Sequence, residues 1–132
     1  MPKLTELKQC GFERVGKWVE SDKYKDAAFQ LEKLQDKRAT YAFVVGQDVK
    51  YIGSYRKHSK TTLESRMVYY RTTKIGGTST KNRERIIISL NAGKPVSIYA
   101  LYPSPAKRTL REIERDLIKR LCPEWNERLK SN

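Results

Sequence analysis

Tyr41-Ala42-Phe43-Val44-Val45, then Gly46-Gln47-Asp48, then Val49-Lys50-Tyr51-Ile52, is the stretch on which the fold turns. Both arms are rich in β-branched and aromatic residues, which suit a pleated, half-buried surface. Gly46-Gln47-Asp48 is a turn signal, so the stretch predicts a β-hairpin. A lone hairpin is marginal in water and needs further strands or a helix on one face.

Those partners can be sought on both sides. Residues 11–32 alternate apolar groups with turn signals: Phe12, Val15 and Trp18-Val19, then Ser21-Asp22-Lys23, then Phe29 and Leu31. They predict two short strands. After the hairpin, Thr61-Thr62-Leu63-Glu64 reads as a capping box that opens a helix. On that helix Leu63, Met67 and Tyr70 share a face, with Arg66 at its edge. Lys74 to Ser79, containing Gly76-Gly77, reads as a loop. A second helix is predicted from about Lys81 to Asn91, stopped by Gly93 and Pro95. Val96 to Leu101 predicts another strand. Ser104-Pro105 opens the last helix, with serine as N-cap and proline as first helical residue, and Cys122-Pro123 ends it. The order predicts an α+β fold, a small mixed or antiparallel sheet with about three helices packed on it.

The chain has 132 residues, a length that suits one domain with a real core. No apolar run approaches the roughly 18 residues of a membrane span, and Met1 to Lys8 shows no signal-peptide core. Cys10 and Cys122, with the single His58, are too few for a zinc site of the usual ligand count. They read as reduced thiols in a cytoplasmic protein.

Charge narrows the partner. The net charge is +13, from 28 Lys and Arg against 15 Asp and Glu. Between Ser54 and Arg85, nine basic residues face two acids, a local +7 interleaved with Tyr55, Tyr69 and Tyr70. Such a patch is the footprint of a polyanion, and nucleic acid is the leading reading. An acidic membrane or protein surface, and plain solubility, are its rivals.

Against this background one acid stands out. On a helix, Leu110, Ile113, Leu117, Ile118 and Leu121 form one apolar arc. Glu114 falls within it, while Arg111, Glu112, Arg115, Asp116, Lys119 and Arg120 fall outside. A carboxylate aimed at a core is costly unless it is paired or binds a metal.

Tyr41 and, ten residues on, Tyr51-Ile52-Gly53 resemble the paired motif of the GIY-YIG endonucleases, the chain reading as a small stand-alone member. Later residues, in the family's order, strengthen the likeness. Arg66 and Tyr70 match the family's arginine and the histidine or tyrosine one turn later. Glu114-Arg115-Asp116-Leu117-Ile118-Lys119 matches its glutamate helix, and Pro123-Glu124-Trp125-Asn126 its late asparagine. The likeness covers about Thr40 to Asn126. The first motif reads Ala39-Thr40-Tyr41, without the family's glycine and isoleucine. Residues 1–38 lie outside it and read as an N-terminal extension of short strands packed on a nuclease-like domain at 39–132.

The resemblance implies cleavage of DNA phosphodiester bonds with one divalent metal, Mg²⁺ or Mn²⁺. It makes Glu114 the metal ligand and Arg66 the clamp on the scissile phosphate. Tyr41 would deprotonate or orient the attacking water, and Tyr51 would join the same network. A free tyrosine ionises near pH 10, so Tyr41 as a base needs Arg66 and the metal to lower that value. Tyr70 and Asn126 would position the phosphate or the glutamate. Arg56, Lys57, His58, Lys60, Arg71, Lys74, Lys81 and Arg83 are the expected DNA contacts.

Plainer readings stand beside these. Tyr41 and Tyr51 could be a cross-strand packing pair, Arg66 one more patch cation, Glu114 an ion-pair partner. Tyr70 could be core, Asn126 a cap, Trp125 a core plug, and His58 part of a basic loop rather than a base. The rival function is a non-cleaving nucleic-acid-binding module on the same scaffold, which would have no need of Glu114 or Arg66. An RNA-directed protein is a third reading, for which no RNP-type motif is present. The number of subunits, monomer or homodimer, is open.

Overall fold

The computed structural model describes residues 3–21, 26–32, 39–53, 62–72, 78–102 and 110–126. The order of elements is α1 (Leu4–Gln9), β1 (Glu13–Ser21), β2 (Asp26–Leu31), β3 (Thr40–Val45), β4 (Asp48–Gly53), α2 (Leu63–Thr72), α3 (Thr78–Asn91), β5 (Val96–Leu101) and α4 (Leu110–Leu121). The five strands form one sheet in the order β2-β1-β5-β3-β4. Every neighbouring pair is antiparallel, so of the two sheet types expected it is the antiparallel one.

The hairpin forms where its sequence predicts it, with Gly46 at φ +63 in the turn. The strands of residues 13–31 join the same sheet, and β1 lies inside it, between β2 and β5. Side chains alternate across the sheet as strand geometry requires. Tyr41 and Phe43 of β3 enter one core with Leu63, Met67 and Tyr70 of α2 and Ile86 of α3. Ala42 and Val44 enter the other, with Leu4 and Leu7 of α1 and Leu117, Ile118 and Leu121 of α4. The sheet is thus covered on both faces.

A bulge in β4 decides where Tyr51 points. Phe43 pairs with Tyr51 but Val44 pairs with Val49, so Lys50 is an extra residue on the β4 side. One extra residue shifts the alternation by one. Val49 therefore faces the α1–α4 core, whereas Tyr51, two residues on, faces the core of α2 and α3.

The helices depart from expectation in three ways. There are four among the described residues, because α1 was not foreseen. It has only six residues, too few to show a helical period, and Leu4 N–H is held by Gln47 O of the hairpin turn at 2.9 Å. Next, α3 begins at Thr78 and absorbs the end of the expected loop. Finally, among the described residues Thr62 makes a capping contact on α2, its Oγ1 accepting from Ser65 N at 3.4 Å, while Thr61 of the expected box lies outside the described residues. The expected Ser104-Pro105 opening of the last helix lies outside the described residues; its end is seen, with Cys122 at φ +46 after Leu121. Among the described residues no helix is long and apolar enough to cross a membrane.

Candidate active site

Four aromatic rings gather where β3, β4 and α2 meet. Tyr41, Phe43, Tyr51 and Tyr70 have ring centroids 5.4–6.5 Å apart. β3 and β4 bring Tyr41 and Tyr51 to the same face, and the α2 period brings Tyr70 over them. All three tyrosines are buried. A buried phenol needs a partner for its hydroxyl, and here the hydroxyls find one another. Tyr41 OH and Tyr70 OH are 2.7 Å apart.

Arg66, one turn before Tyr70 on α2, completes the group. Its Nε donates to Tyr41 OH at 3.2 Å, and its guanidinium carbon lies 5.1 Å from the centroid of the Tyr70 ring. The side chain is half-buried, so the cation sits at the boundary between the aromatic cluster and solvent. Burial works against its charge, but the neighbouring tyrosines outweigh burial and hold it protonated.

The tyrosines are held protonated too. Burial pushes Tyr41 up, and the charge of Glu114 adds to that; Arg66 and the hydrogen bond to Tyr70 pull the other way without winning. Burial likewise pushes Tyr70 well above the usual phenol range, and Tyr51 rises for the same reason, with Glu114 again contributing. Of the two groups expected to lower Tyr41, Arg66 does pull it down, and desolvation of a phenolate in an aromatic pocket is the larger of these two effects.

Glu114 lies within electrostatic reach of both Tyr41 and Tyr51. It does not sit deep in the apolar face of α4. Leu117, Ile118 and Leu121 are buried, whereas Ile113 and Glu114 are half-buried. A half-exposed carboxylate avoids the cost of full desolvation and remains open to water. Among the described residues no three His, Cys, Asp or Glu side chains come together, so an all-protein metal cage is not formed among them. A single carboxylate that leaves room for waters and phosphate oxygens is the arrangement Mg²⁺ favours.

Asn126 is placed differently. It is buried against the outer edge of β4, where its Oδ1 accepts from Ile52 N–H and its Nδ2 donates to Ile52 O, both at 2.9 Å. This complementary pair fixes which way the amide faces. Trp125, next to it, is a core residue, buried in the same cluster as Tyr51 and Tyr70.

Of the expected DNA contacts, Lys81 is exposed and Arg83 half-buried on α3. Arg71 lies on α2 by its backbone. Arg56, Lys57, His58, Lys60 and Lys74 lie outside the described residues. A cleft of about 680 Å³ opens at the opposite, turn end of the hairpin, between Gly46, Lys50, Ile88, Lys94 and Trp125. None of the tyrosines, Arg66 or Glu114 lines it.

Two residues of the site escaped the sequence reading as participants. Gly53 lies directly across from Tyr41 in the ladder. A Cβ there would stand 2.6 Å from the Tyr41 Cζ and hydroxyl and 2.8 Å from Tyr51 Cε2. The bare backbone is what lets the Tyr41 ring lean across its partner strand, and a glycine ending a strand opposite an aromatic is the visible sign of such an approach. The other is Arg85, whose Nη1 donates to Trp125 O at 3.0 Å. In the sequence it is indistinguishable from its basic neighbours.

An antiparallel sheet with α2 and α3 on one face and α1 and α4 on the other is an α+β architecture found in solved endonuclease structures. Bacteriophage T4 EndoII is similar with a TM-score of 0.70 and 23% identity, over 94% of this chain and 98% of that one. The restriction endonuclease HPY188I, solved in complex with product DNA, is similar with a TM-score of 0.56 and 19% identity, over 89% of this chain and 80% of that one. At these identities the shared feature is the fold. No protein-family model matches the chain, and no curated protein does.

Proposed function

We propose that the chain is a metal-dependent endonuclease that hydrolyses DNA phosphodiester bonds with a GIY-YIG set of side chains. The observation that carries this reading is the convergence of Arg66 and Tyr70 on the Tyr41 hydroxyl, with the charge of Glu114 acting on the same phenol. Packing alone has no use for a guanidinium and a carboxylate around a buried hydroxyl. The local +7 between Ser54 and Arg85 gives the polyanion its attraction.

In this reading Glu114 holds Mg²⁺ or Mn²⁺, a role that its half-exposed carboxylate fits. A cation held there would supply positive charge to the phosphoryl oxygens. Arg66 binds the scissile phosphate, for which a planar, permanently charged guanidinium suits the planar spread of oxygens. Tyr41 stays a neutral phenol at neutral pH. It orients the attacking water by hydrogen bonding, and Tyr70 and Tyr51 hold it in place. The orienting half of the expected Tyr41 role is thus preferred over the deprotonating half.

The test is incubation with plasmid, single-stranded and branched DNA, with Mg²⁺ or with chelator. The reading expects cutting with Mg²⁺, none with chelator, and ends that report the preferred substrate. DNA that is bound but never cut, even with Mg²⁺, would instead assign the scaffold to the non-cleaving binding module.

A further inference from the structure

Tyr51 faces the catalytic cluster only because Lys50 is bulged. A bulge on an edge strand has a ladder on one side alone, and β4 is the last strand of the sheet. Left open, such an edge could relax its register by one residue and turn Tyr51 to the other face. The structure closes the edge with a non-strand segment. Trp125 N–H donates to the carbonyl of Lys50 itself, at 2.8 Å. Lys50 Nζ pairs with Glu124 at 2.7 Å. Asn126 takes both the N–H and the carbonyl of Ile52. Tyr51 is thus bracketed by bonds to the residue before it and the residue after it.

That segment needs its own support. Cys122, in the left-handed region, breaks the helix, and the carbonyl of buried Trp125 faces α3. Arg85 meets it there. Its Nη1 donates to Trp125 O at 3.0 Å and to Oδ1 of the fully buried Asn82 at 3.2 Å. A hydrogen bond from a charged donor is roughly twice as strong as a neutral one. We propose that Arg85 is a positioning residue: from α3 it holds residues 124–126 on the Lys50 bulge, and the bulge aims Tyr51 into the active site. Arg85 touches neither substrate nor metal in this scheme and acts only through the strand.

The kinetic arm of the test rests on the endonuclease reading; the amide-exchange arm does not. Arg85→Met keeps the stem and removes the donor, and Arg85→Lys restores a cation able to reach one carbonyl. In Arg85→Met, exchange of the Ile52 and Trp125 amides speeds up by about tenfold, the scale of one lost hydrogen bond, while amides of β1 and β5 keep their protection. Arg85→Lys recovers much of it. In cleavage, Arg85→Met lowers kcat with little change in KM for DNA, and the loss shrinks when Tyr51 is already Phe, because the two act in series. Unchanged Ile52 and Trp125 exchange overturns the proposal whatever the activity. Equal losses in the Tyr51 and Tyr51→Phe backgrounds, or a change confined to KM, overturn its catalytic half. If Arg85→Met does not fold, Arg85→Gln carries the same exchange test: it removes the charged donor to Trp125 O while keeping a polar side chain beside Asn82. Unaltered Ile52 protection in that variant counts against the proposal equally.

Discussion

The hydroxyls of Tyr41 and Tyr70 lie 2.7 Å apart in a site from which both side chains exclude water. The two residues are 29 apart in sequence, and each gives the other's buried hydroxyl a hydrogen-bond partner. Removing either hydroxyl loses the bond between them, which costs about 0.5–1.5 kcal/mol although Arg66 Nε still donates to Tyr41 OH when Tyr70 is changed, and removing both loses that bond only once. Tyr41→Phe and Tyr70→Phe should each destabilise the fold by that order. The double variant should lose less than the sum, as denaturant unfolding of the four proteins in the cycle will show. Simple additivity would mean that the two hydroxyls do not depend on each other.

Alkaline stability depends on the same burial. An unfolded tyrosine ionises near pH 10, whereas burial raises Tyr41, Tyr51 and Tyr70 above that value in the folded protein. Below about pH 10 both states hold these protons and the stabilisation is complete. Above it the unfolded chain releases protons that the folded chain retains, so stability falls as pH rises toward the folded-state values. Phenolate absorbance should therefore show a group of tyrosines that titrates only with unfolding. Cleavage at neutral pH should show no limb that belongs to Tyr41 ionisation in the free protein.

What the sequence made legible here was local. The hairpin announced itself through a β-branched run around Gly46, and Leu63, Met67 and Tyr70 through helical spacing. Long-range pairing was not legible. β1 lies next to β5, more than 70 residues on, and no pattern in either strand names the other. The bulge at Lys50 was hidden as well, because an alternation shift of one residue is invisible until the partner strand is known. Asn126 was noticed for its place after Pro123, yet its target, Ile52, lies 74 residues away. Glu114 was legible as an acid on an apolar arc, but its depth was set by packing of α4, which buries Leu117 and Ile118 and leaves the first turns at the margin.

Gly53 offers a test that leaves every polar group in place. A methyl group there meets the Tyr41 ring and hydroxyl at 2.6 Å, far inside van der Waals contact, and both neighbours are held by the aromatic cluster. Gly53→Ala should cost about 1–3 kcal/mol through overpacking. It should also lower kcat by moving the Tyr41 hydroxyl away from Arg66. Thermal unfolding and cleavage kinetics on the same preparation check both. Unimpaired activity would show that the close approach of Tyr41 to the β4 backbone is irrelevant to cutting.

In the proposed reading Arg66 has two tasks, the hydrogen bond to Tyr41 and the hold on the phosphate. Arg66→Ala should slow cleavage about 10²-fold or more, the usual loss for one charge-stabilising donor. Arg66→Lys keeps a charge but not the planar fork that serves a phenol and a phosphate together, so it should restore little. Single-turnover rates with saturating DNA separate this from weakened binding. A near-wild-type rate in Arg66→Ala would reduce Arg66 to one more cation of the basic stretch.

Glu114→Gln separates metal chemistry from DNA affinity. The amide keeps the shape of the side chain on α4 but removes the negative charge that Mg²⁺ requires. Cleavage should vanish, while DNA binding, carried by the basic residues, persists and keeps its steep fall with salt. The substitution carries an internal control as well. The Glu114 charge raises Tyr41 and Tyr51, so neutralising it should make both phenols slightly easier to ionise. The alkaline loss of stability accumulates across the gap between unfolded and folded values, so it should be smaller in the variant, where that gap narrows. A variant that shows this change is folded, with its site intact and lacking only the charge, so its inactivity reports on the metal. Full activity with the change present would remove Glu114 from the metal site and leave it as an electrostatic neighbour of the tyrosines.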